Sequence, residues 1–141
     1  MGWPSAVAVA AIFVWLGMVL AISFVETPLK FRAPGVTVQI GLSIGRLVFR
    51  ALNTVELLLA VVIVAASIIE RPSVGVVVAV AVAVVALLVQ VLLVRTYLTK
   101  RSDAVLAGGE GPRSRAHYVY IGLEVVKVVA LIVAGVLLLV A

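Results

Sequence analysis

The chain has no cysteine, which removes disulfides, thiolate metal sites, iron–sulfur clusters and cysteine nucleophiles. It has a single histidine, His117, so neither a bis-histidine haem site nor a dedicated transition-metal cage can be assembled. Charge is equally scarce: 12% of residues are charged, against about 25% in soluble domains. No glycine-rich phosphate loop follows a strand pattern, and there is no nucleophile elbow, triad or paired metal-ligand spacing. These absences argue against an enzyme, and no cofactor is expected.

Val, Leu, Ile and Ala take their place, and 65% of the 141 residues are hydrophobic. A small soluble domain buries only about two thirds of the surface its unfolded chain exposes, so the surplus apolar surface must face lipid. Four uncharged or nearly uncharged runs can cross a hydrocarbon core about 30 Å thick. They lie at about residues 3–25, 51–69, 74–94 and 118–140 of a single transmembrane domain, 1–141. The runs are continuous rather than alternating, which excludes a β-barrel. Valine is a poor helix former in water, yet in a bilayer every backbone polar group must be paired within its own segment. The expected fold is all-α, an integral membrane four-helix bundle.

Pro28 and Pro34, among the charges Glu26, Lys30 and Arg32, predict a loop after span one. Residues 36–69 read as one helix, longer than a single crossing needs. Gln39, Ser43, Arg46, Arg50 and Asn53 recur at four and three residue intervals, so an amphipathic interfacial segment at about 38–50 is expected to lead into span two. Glu70, Arg71, Pro72 and Ser73 form a short link that predicts spans two and three as packed antiparallel neighbours. Residues 95–115 read as a basic hairpin with a flexible Gly/Pro tip.

The net charge of +5 is not a nucleic-acid signal, because the basic residues flank apolar spans without interleaved aromatics. Loop one has Lys30 and Arg32, with Arg46 and Arg50 close behind. Loop three has Arg95, Lys100, Arg101, Arg113 and Arg115, whereas the second link has Arg71 alone. Positive-inside bias then predicts a multi-pass protein of the cytoplasmic membrane with both termini outside. The first span lacks a basic lead and a small-residue cleavage site, so it is expected to be a retained anchor.

Ionisable groups inside a membrane mark sites of interest, and here they are Glu56, Glu124 and Lys127. Glu124 and Lys127 stand three apart on one helix face and can neutralise each other. Glu56 has Arg50 or Lys127 as a possible partner. Structural pairing, a proton or ion pathway and docking of a partner subunit all remain open from the residues alone. Arg46, Arg50 and Asn53 could meet an anionic lipid headgroup or simply snorkel. His117 is either an interfacial cap or a pH-sensitive contact, and Gly41 with Gly45 is a small-residue pair for helix packing. Aligning Glu56 on Glu124 suggests a parallel two-plus-two repeat in which the two glutamates are quasi-equivalent.

The run Phe24-Val25-Glu26-Thr27-Pro28-Leu29-Lys30-Phe31, followed by Gly45-Arg46-Leu47-Val48-Phe49 and later by His117 leading into span four, resembles the small four-span family typified by the eukaryotic transmembrane protein 205. The resemblance implies a four-helix bundle and carries no catalytic residue. Two functional expectations follow from the sequence. One is a non-enzymatic accessory or scaffold subunit, packed in the bilayer against other membrane-protein subunits of a larger complex such as an envelope lipid-transport machine. The other is a self-sufficient small carrier or channel that uses the intramembrane Glu and Lys groups.

Overall fold

A computed structural model of the protein describes residues 2–94 and 115–141. The basic hairpin expected at 95–115 lies almost wholly outside the described residues. The protein is an all-α membrane four-helix bundle, without strands among the described residues. Its elements are α1 (Trp3–Val19), a π-helical segment π1 (Leu20–Glu26), a short α2 (Thr27–Lys30), α3 (Val38–Ile69), α4 (Val74–Val89), a second π segment π2 (Gln90–Val94) and α5 (Arg115–Val140). Among the described residues, four helical stretches are long and apolar enough to cross a bilayer: Trp3–Lys30, Val38–Ile69, Val74–Leu92 and Tyr118–Val140.

The first span runs past the expected loop at Pro28 and stays helical to Lys30. The π segment explains how. Proline has no N–H to donate, and its ring normally clashes with the preceding turn. Here the backbone has already widened to i→i+5 pairing, and Thr27 supports it by donating both its N–H and its hydroxyl to the Ile22 carbonyl, the hydroxyl at 2.9 Å. The chain then reverses through Ala33-Pro34-Gly35-Val36, closed by the Val36 N–H on the Ala33 carbonyl at 3.2 Å. Gly35 has a φ of 82°, the left-handed value that the third residue of a type II turn requires. Thr37 caps α3 by accepting the Ile40 N–H at 3.2 Å, and Ser73 does the same for α4 from Val76 at 3.5 Å.

At 32 residues, α3 is about 48 Å long, well beyond one hydrocarbon thickness. Its first turns are covered by the preceding segment: a Cβ on Gly41 would collide with the Phe31 ring, and one on Gly45 would lie 3.1 Å from Lys30 Nζ. These two glycines make room for α2 and the turn after it.

Helix directions follow from contacts between helix ends. Gly2 meets Glu70, Phe13 meets Gly135, Ser23 meets Glu124, and Gly75 meets Leu137. The bundle is therefore up and down, with α1 packed on α3 and on α5, and α4 packed on α5. The close partnership expected between spans two and three is not what forms, because α3 and α4 make only a minor contact. The link between them is extended at Glu70 and at Ser73, and four extended residues span about 13 Å, more than the 8–10 Å that separates packed helices. The link reverses the chain without clamping the two helices together.

Small and large side chains share the inward faces. On α4, Ala79, Ala83 and Ala86 are buried together with Val76, Val80 and Leu87, while Val77, Val78, Val82 and Val85 are exposed. On α5 the positions Tyr120, Glu124, Lys127, Leu131, Ala134 and Leu138 are buried four and three residues apart like a coiled-coil seam, with Ala130 and Gly135 buried beside it. Lipid is as apolar as leucine, so burial of large apolar groups gives little drive for helices to associate in a bilayer. Close packing of small residues and polar contacts do that work. At Gly135 an added Cβ would lie 2.7 Å from the Phe13 ring. Gly135→Val is expected to push α1 from α5 and cost about 1–3 kcal/mol, measured by denaturant unfolding in micelles.

At the end of the bundle where α3 closes, Glu70 takes over the capping of α1, whose own cap residue is Gly2. Its carboxylate accepts the N–H of Gly2 and that of Ser5, each at 3.2 Å. Those bonds, Gly2's first, hold the Glu70 carboxyl below its ordinary value of 4.5. A depressed carboxyl contributes stability that is present above the ordinary value and lost as pH falls through the folded one. The wild type should therefore lose thermal stability on acidification below the ordinary carboxylate range, whereas Glu70→Gln should start lower and respond less to pH. Melting curves of both proteins across that range check it.

Candidate functional site: a buried polar cluster

The four spans meet in one polar cluster, and each supplies at least one side chain. Lys127 on α5 is fully buried, as is Glu56 on α3, and Glu124 is 2% exposed. The Lys127 ammonium lies 2.5 Å from Glu56 Oε2 and 2.5 Å from Glu124 Oε1. It also donates to Gln90 Oε1 at 2.8 Å. Gln90 sits where α4 passes into π2, and its amide N–H₂ donates to Glu124 Oε1 and to the Tyr120 carbonyl, both at 3.2 Å. From α1, the Trp15 indole N–H donates to Glu56 Oε2 at 2.6 Å. From π1, the Ser23 hydroxyl donates to Glu124 Oε2 at 2.5 Å.

Local helix geometry produces the arrangement. Glu124 and Lys127 are neighbours on the α5 seam, one turn apart, so a single ammonium can serve both its own helix and the facing α3. Parallel α3 and α5 bring Glu56 and Glu124 to the same ammonium. The two glutamates are not equivalent. Both oxygens of Glu124 accept hydrogen bonds, three in all from side chains on other elements and on its own helix. Glu56 uses Oε2 twice and leaves Oε1 buried without a partner among the described residues.

The remaining sequence candidates fall elsewhere. Arg50 is exposed and Arg46 half-buried, both on the first half of α3. Asn53 shares their spacing but not their exposure: it is 6% exposed and covered by the bundle, which removes it from any headgroup contact. The reason is what covers the helix, since α3 packs against α1 and position 53 lies within the covered length, one turn before the buried Glu56. Gly41 and Gly45 face the α2 region, as described above. His117 is in the first turn of α5, and its side chain lies outside the described residues. Trp15, Ser23 and Gln90 complete the cluster. Trp15 could have been suspected, because tryptophan favours the membrane interface, as Trp3 does, and a tryptophan in mid-span needs a partner for its N–H.

The charged side chains of the cluster are buried among the described residues. Cavities at the opposite end are lined by Ser5, Glu70, Pro72 and Val76 among others, and none of the cluster side chains reaches them. Among the described residues no three His, Asp or Glu side chains converge to hold a metal ion. No family model, no curated protein and no solved structure matches the chain.

Proposed function

We propose that the protein is a non-enzymatic accessory or scaffold subunit that packs in the bilayer against a larger membrane complex, with an envelope lipid-transport machine as the leading setting. One observation carries this reading: the intramembrane charges are spent on each other inside the bundle. A carrier or channel built on Glu56, Glu124 and Lys127 needs them along a water-filled path, and here their hydrogen bonds run between the protein's own spans. What remains for the outside is an apolar surface. On α1 it holds an exposed Gly17 with open space where a Cβ would be, followed one turn later by exposed Ala21. Such a notch lets a second transmembrane helix approach closely. The basic loops would face the cytoplasm with both termini outside, and Arg46 and Arg50 would then sit at the level of anionic headgroups.

The resemblance to the four-span family of transmembrane protein 205 agrees with a role without chemistry of its own. Native-level tagged protein extracted in mild detergent is expected to carry other membrane subunits in fixed ratio, read by mass spectrometry. Gly17→Leu should release them while leaving the chain folded. Recovery of the chain alone, with flux across vesicles containing only this protein, would favour the carrier reading instead.

A further inference from the structure

Charge counting in the cluster leaves a remainder. Two carboxyl groups face one ammonium, and the groups around them are neutral: Trp15 and Ser23 from the first span, Asn53 from α3, Gln90 from α4, and Tyr120 from α5 through its carbonyl. With both glutamates ionised the buried core would hold one unbalanced negative charge, which burial away from solvent strongly disfavours. The hydrogen bonds say which carboxyl is ionised. Glu124 accepts from Lys127, Gln90 and Ser23 over both oxygens, the environment of a carboxylate. Glu56 accepts on Oε2 only, from Lys127 and Trp15, and its Oε1 has no donor among the described residues. One helical turn earlier on the same face, Asn53 Oδ1 is a second buried oxygen without a donor among the described residues. Two orphan acceptors beside an excess negative charge are what a missing proton leaves behind.

We propose that Glu56 is a buried proton-binding site: it carries a hydrogen on Oε1, within one turn of Asn53 Oδ1 as acceptor, while Glu124 and Lys127 form the ion pair. A single proton balances the charge and turns one orphan acceptor into a donor for the other. Oε2 is then the carbonyl oxygen of the acid and keeps its bonds to Trp15 and Lys127. The site belongs to this chain alone and does not depend on whether a partner subunit exists.

Infrared difference spectroscopy of the purified protein in lipid nanodiscs at neutral pH tests it, because an un-ionised carboxylic acid has a carbonyl stretch clear of carboxylate and amide bands. One acid band per chain is expected, shifted in heavy water, abolished in Glu56→Gln and moved in frequency by Asn53→Leu but not by Ser23→Ala. Glu56→Gln keeps the neutral charge and the acceptor oxygen, so it should unfold at the wild-type denaturant concentration. Glu124→Gln replaces the fully bonded carboxylate and should raise the unfolding constant at least about tenfold. A band moved by Ser23→Ala instead, with the two stabilities reversed, would put the proton on Glu124 and overturn the assignment. Absence of any acid band in the wild type would overturn it too, whether both carboxylates are ionised or a sodium ion takes the proton's place and makes stability follow sodium concentration.

Discussion

Lys127→Met should be the most damaging single change in the bundle, lowering stability by about 3–5 kcal/mol in an unfolding titration in mixed micelles. Methionine matches the length of the lysine stem, so packing along the α5 seam is largely kept and the loss reports on charge. Without the ammonium, Glu124 has no counter-ion at 2.5 Å, Gln90 Oε1 loses its donor, and Glu56 Oε2 retains only Trp15. The contact between α3 and α5 depends on the same nitrogen, because Lys127 reaches Glu56 across the bundle. The double variant Lys127→Met with Glu124→Gln removes both charges together. Buried pairs often cost nothing to replace as a unit, so the double variant should recover most of the stability lost by the single one. If the single variant were as stable as the wild type, the ion pair would contribute nothing and the cluster would be only tolerated polarity.

The fold was legible because a bilayer leaves so few choices. Four apolar runs without alternation can be satisfied only by helices, and the positions of their ends are marked by Pro34, Gly35, Thr37, Pro72 and Ser73. Helix faces were harder to read. On α4 nearly every residue is Val, Ala or Leu, so no polarity contrast tells inside from outside, and size does not either: Val76, Val80 and Leu87 are buried beside Ala79, Ala83 and Ala86, while Ala81 is exposed. Pro28 was misleading for a local reason, since the π segment before it supplies a widened turn that no residue pattern announces.

The candidate site was legible in its charges and not in its neutral members. Glu124 and Lys127 one turn apart, with Glu56 as a further charge at similar depth, name the ionic part of the cluster from spacing alone. Gln90 stands out as the interior polar residue of its span. Ser23 does not, because an isolated serine in a membrane helix usually bonds its own backbone, as Ser67 does to the Ile63 carbonyl at 2.8 Å. Asn53 was grouped with Arg46 and Arg50 because it shares their spacing. The spacing does keep the three on one face, but what covers that face changes along α3: Arg50 is exposed, whereas position 53 is buried by the bundle.

Trp15→Ala is the second large expectation, a loss of about 3–5 kcal/mol. Trp15 heads the largest fully buried side chains and sits where α1 faces both α3 and α5. Two effects combine in its removal. The cavity takes away the dispersion contacts of the atoms that lined the indole. Glu56 Oε2 also loses the indole N–H at 2.6 Å, leaving it dependent on Lys127. Trp15→Phe separates the two, because phenylalanine refills much of the volume but offers no donor. Its expected loss is about 1–3 kcal/mol, the cost of a buried hydrogen bond to a polar group that keeps one other partner. In a Glu56→Gln background the amide oxygen still accepts from Trp15, so the phenylalanine variant should remain destabilising there. Equal losses for Trp15→Phe and Trp15→Ala would mean that the N–H carries the whole effect and packing none. A harmless Trp15→Phe would mean that the indole is there only for its bulk, and that α1 joins the cluster through Ser23 alone.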